Sequence, residues 1–102
     1  MSSWSRLLFE KENPTTTTET NTAPALASTA DTVNTGPAEI YMVVNPSSTD
    51  VVNIYDDDTL TLVVLPNTTL NLIFPVTINN SLKVKNGGLS TFDYTIQFVD
   101  LS

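Results

Sequence analysis

Between Thr59 and Pro75 two alternating apolar runs flank a Pro-Asn turn: Leu60, Leu62 and Val64 lead in, Leu65-Pro66-Asn67-Thr68 turns, and Leu70, Leu72 and Phe74 lead out. A period of two belongs to strands that bury one face, so this spacing predicts two neighbouring antiparallel strands. Two strands cannot cover their own apolar face. The rest of the chain must therefore supply further strands to close over the pair.

From Ala38 onward it does. Glu39–Val44 alternates Ile40, Met42 and Val44 with Glu39, Tyr41 and Val43, and Asn45-Pro46-Ser47-Ser48 is a turn cluster. Val52 and Ile54 share one face of the next run, with Val51, Asn53 and Tyr55 on the other, before Asp56-Asp57-Asp58 breaks it. Pro75 ends ladder donation in the Leu70–Phe74 strand. Leu82 and Val84 alternate with Lys83 and Lys85, and Asn86-Gly87-Gly88 is the strongest turn signal, its glycines accepting positive φ. Phe92, Tyr94, Ile96 and Phe98 line one face of a final strand. Six strands in about 65 residues predict an all-β fold, a small antiparallel β-sandwich or barrel-like domain, preceded by an extended N-terminal arm.

The arm has two parts. Residues 14–37 are rich in Thr, Ala and Pro, show no period of 2 or 3.6, and read as an extended linker able to stretch to roughly 80 Å. Residues 1–13 read as an apolar anchor peptide: Trp4, Leu7 and Leu8 fall at helical spacing and Phe9 follows, so these four are the expected anchoring residues. A helix this short needs a partner surface to form. The expected organisation is thus 1–13 anchor, 14–37 linker and 38–102 β-sandwich domain.

A 65-residue domain buries only about 60% of its unfolded surface and usually needs a disulfide, a metal or self-association. The chain has no cysteine and no histidine, which removes the first and the commonest ligands of the second. Several strands also carry apolar residues on their second face. Val51, Tyr55, Val63 and Ile73 are the expected subunit contacts.

The formal net charge is −7, with −2 in residues 1–37 and −5 in 38–102. An acidic surface repels phosphate backbones, so a nucleic-acid partner is not expected. No apolar run approaches the roughly 20 residues that span a bilayer, and Leu7-Leu8-Phe9 is too short a core for a secretory signal. No membrane partner follows, and synthesis in a cytoplasm is expected.

Chemistry is sparse. Asp56-Asp57-Asp58 is the only dense carboxylate cluster, but it lacks the spaced acids and the glycine of a calcium loop and reads as a solvated turn. Asn67-Thr68-Thr69 matches a glycosylation acceptor and reads as turn formers. No nucleophile elbow or phosphate loop is present, so no enzyme, no cofactor and no metal are expected. Tyr41, Tyr55 and Tyr94 leave open a sugar-binding platform, which requires them to lie exposed on one face.

The segments Ile40–Asn45, Val51-Val52-Asn53-Ile54-Tyr55-Asp56, Leu65–Pro75, Leu82-Lys83-Val84-Lys85 and Thr95-Ile96 together resemble small β-rich virion proteins of tailed bacteriophages. Such proteins serve as capsid decoration (cement) proteins or small fibre and adaptor subunits, often as trimers. The resemblance covers roughly residues 39–99. It implies a non-enzymatic structural protein located in the virion, a homotrimer, partnered by the major capsid protein or another virion protein. The alternatives are a carbohydrate- or receptor-binding module and a tail or neck adaptor.

Overall fold

A computed structural model describes residues 15–102; the expected anchor residues Trp4, Leu7, Leu8 and Phe9 lie outside it. The eight strands are β1 (Thr17–Ala23), β2 (Asp31–Thr35), β3 (Ala38–Asn45), β4 (Val52–Asp56), β5 (Thr59–Val64), β6 (Thr68–Ile78), β7 (Ser81–Asn86) and β8 (Phe92–Asp100). They form two four-stranded antiparallel sheets, β1-β8-β3-β6 and β2-β7-β4-β5, packed as a sandwich.

The pairs β1–β8, β2–β7, β3–β6 and β4–β5 are those of one long hairpin folded at the β4–β5 turn. Rolling that hairpin up adds the β3–β8 and β4–β7 ladders. This is the eight-stranded jelly roll.

Two expectations fail here. Residues 14–37 are not an extended linker, because they contain β1 and β2. The Thr-rich run has no apolar period since both strands lie at sheet edges and take their order from a partner. Backbone ladders to β8 and β7 supply it, together with cross-strand side-chain bonds such as Thr22 Oγ1 to Asp93 Oδ1 at 2.8 Å. The sandwich therefore does not begin at residue 38. Nor do the two strands flanking Pro66-Asn67 pair with each other. β5 belongs to one sheet and β6 to the other, and residues 65–67 cross between them. Asn67 adopts φ 53°, which asparagine tolerates, and its N–H donates to the Ser47 carbonyl at 2.8 Å.

The core is built from Ile40, Val43, Val52, Ile54, Val64, Ile78, Leu82, Val84, Tyr94, Ile96 and Phe98. β4, β7 and β8 keep the expected alternation. β3 does not: a register shift between Ile40 and Met42 moves Val43 into the core and leaves Met42 and Val44 half-buried. Gly87 and Gly88 do not use positive φ. They are needed for close approach, since a Cβ at Gly87 would lie 2.7 Å from Val51 Cγ2 and one at Gly88 would strike the Asp50 carboxyl.

Candidate functional site

Three regions hold whatever chemistry the described surface offers. The first is the turn after β4. Asp56 accepts from the backbone N–H groups of Asn79 and Asn80, both at 2.9 Å. The Asn79 amide is the main cause of a carboxyl held below the ordinary aspartate range. Asp57 takes φ 55° and pairs with Lys83 Nζ at 3.0 Å. Both carboxylates are thus engaged inside the fold, where they brace the β4–β5 and β6–β7 turns. Among the described residues, no three metal-ligating side chains converge.

Above that turn lies a pocket of about 220 Å³, lined by Thr29, Ala30, Tyr55, Asp58, Lys83 and Lys85, among others. Its one aromatic wall is occupied, because Lys85 Nζ stands 5.4 Å from the centre of the Tyr55 ring. The three tyrosines do not form a platform. Tyr94 is buried in the core, Tyr41 lies half-buried on β3 beside Glu39, and Tyr55 is half-buried on the opposite sheet. The Tyr94 hydroxyl is buried with no hydrogen-bond partner; the nearby Asn21 amide instead donates to Glu19 at 3.0 Å. Burial pushes that phenol above the ordinary tyrosine range.

The third region is apolar. Among the described residues, five of the eight exposed large apolar side chains fall between positions 60 and 74: Leu60, Val63, Leu65, Ile73 and Phe74. The last two are 91% and 84% exposed. The cause is a wide bulge in β6. Ile40 pairs with Val76 and Met42 with Asn71, so four residues, Leu72 to Pro75, stand opposite Tyr41 alone and swing Ile73 and Phe74 out of the sheet. β5 and β6 are each the last strand of a sheet, joined by residues 65–67, so both open edges lie on one side of the sandwich. No charged residue occurs in the 24 positions from Thr59 to Leu82. On the described chain, nine carboxylates stand against Lys83 and Lys85, and all eleven lie outside that run. Natural sheet edges are usually guarded by charge. Here only bulges and Pro75 stand guard.

The four expected subunit contacts therefore separate. Val63 and Ile73 lie exposed on the apolar side. Val51 is half-buried and packs beside Gly87, whose N–H donates to its carbonyl at 3.0 Å; Tyr55 lies under Lys85. Leu60, Leu65 and Phe74 belong with Val63 and Ile73, although periodicity placed Leu60 and Phe74 on the covered face. The uncharged run was the signal that could have identified them.

Two buried asparagines tie down strand ends, and Asn45 does so where β5 meets this side. Asn45 Nδ2 lies within 2.9, 3.0 and 3.1 Å of the Asp50, Val64 and Leu65 carbonyls, and its Oδ1 accepts from the Ser47 N–H at 3.0 Å. Asn86 does the equivalent for the Ala23 and Ser90 carbonyls and the Gly88 N–H. No family model matches the chain, and no curated protein or solved structure matches it either.

Proposed function

We propose that this chain is a non-enzymatic structural protein of a virion, of the decoration or cement type. In this reading it self-associates through its β-domain and attaches to a capsid protein through Trp4, Leu7, Leu8 and Phe9. The observation that carries it is the uncharged side holding Ile73 and Phe74, a surface suited to protein contact and to nothing catalytic. The jelly roll supports it at the level of analogy, since capsid and lectin domains both use that strand order. Between those two, the tyrosines favour the structural role: they point into the core and onto opposite sheets, leaving no aromatic platform for a sugar.

The test is to purify particles from the source that encodes the chain, count its copies by mass spectrometry, and locate it by immunolabelling. Many copies per particle on the shell, with shells lacking it releasing their contents at lower temperature, is the expected result. Its absence from purified particles refutes the proposal.

A further inference from the structure

We propose that the β5–β6 side pairs with the same side of a second copy about a two-fold axis normal to the sheets. It names the surface by which the structural protein proposed above self-associates, as a two-fold pair in place of the homotrimer that the resemblance implies, and rests on that reading for the self-association alone.

Charge selects the side. Each copy carries nine carboxylates and two lysines on its described residues, so most approaches of one copy to another bring like charges together. The 24 residues from Thr59 to Leu82 are free of them. Position selects the symmetry. Leu65 follows Val64 at the end of β5 held by Asn45, whereas Leu60 pairs with Tyr55 at the opposite end. Ile73 and Phe74 sit in the other sheet, at the β6 bulge opposite Tyr41. A two-fold axis through the bulge sets Phe74 and Ile73 against their own copies. It also reverses the strand direction in the partner, so the Leu60 end of each chain points toward the Leu65 end of the other. The five exposed side chains present on the order of 600 Å², approaching the roughly 800 Å² per partner of a standard interface.

Sedimentation and light scattering on the full chain test this. The expected species has twice the 11.1 kDa chain mass. Phe74→Asp is expected to raise the dissociation constant at least about 30-fold, as for a central aromatic contact, while leaving the circular dichroism unchanged because Phe74 is 84% exposed. The chain has no cysteine, so Ile73→Cys gives a single thiol; a short bis-maleimide should join two such chains and should not join Thr18→Cys chains, whose thiol lies on β1 at the far edge. A trimer, a dimer indifferent to Phe74→Asp, or a monomer at every concentration overturns the two-fold pairing. A monomer whose Ile73→Cys thiol resists alkylation would assign the ridge to the chain's own residues 1–14, and overturns it equally. Particle purification reports on the virion role separately, so either proposal can fail while the other stands.

Discussion

Replacing Asn45 by alanine removes the side chain that ties three parts of the fold together: the end of β3, the Ser47–Asp50 turn, and the point where β5 leaves its sheet. Its amide serves the carbonyls of Asp50, Val64 and Leu65, and its oxygen takes the Ser47 N–H. Asn45 is 1% exposed, so water does not readily replace these bonds. A buried group left without its partner costs about 1–3 kcal/mol. With some relaxation, Asn45→Ala should destabilise by about 2–4 kcal/mol, or roughly 10–25 °C in melting temperature for a domain of this size. Asn45→Asp is the sharper variant, since it keeps the shape, deletes both donors and aims a carboxylate at carbonyl oxygens. Those surroundings raise the folded-state pKa of the new acid above its unfolded value. The variant is therefore least harmed below about pH 4, where the acid is neutral in both states, and its penalty grows as pH rises toward 7. Urea melts of the three proteins at both pH values give the answer. A loss under about 1 kcal/mol for Asn45→Ala, or an Asn45→Asp penalty that does not grow with pH, would refute the account.

Three further outcomes are expected. Asp56 has a depressed carboxyl pKa, so its stabilising contribution is present above the unfolded aspartate range and is lost as pH falls through the folded value. Asp56→Asn should flatten that part of the acid melting profile, and an unchanged profile would rule the contact out. Ile54→Ala, at a fully buried site, should cost about 2–5 kcal/mol, whereas Leu89→Ala, at a residue 96% exposed, should stay within about 0.5 kcal/mol by chemical denaturation. Tyr94→Phe removes a buried hydroxyl with no partner and should leave stability equal or higher; a loss above about 1 kcal/mol would show that the hydroxyl is bonded.

The sequence by itself determined that the chain is all-β, a small antiparallel sandwich or barrel-like fold, and the two separate sheets decided for the sandwich. Alternation is local, and Val52 with Ile54, Leu82 with Val84, and Tyr94 with Ile96 and Phe98 face the core as their spacing requires. Periodicity reports which face of a strand is buried, but not which strand lies beside it. The runs on either side of Pro66-Asn67 look like a hairpin, and only the tertiary structure sends them to opposite sheets. β1 and β2 had no apolar period, because as edge strands they are held by ladders to β8 and β7 contributed from more than forty residues away. The candidate surface was half legible for the same reason. Val63 and Ile73 stood out as second-face apolar residues, but Phe74 lies on the outside only because four residues of β6 bulge opposite Tyr41. Alternation counts residues, and a bulge changes the count, so the protruding edge was decided by packing alone.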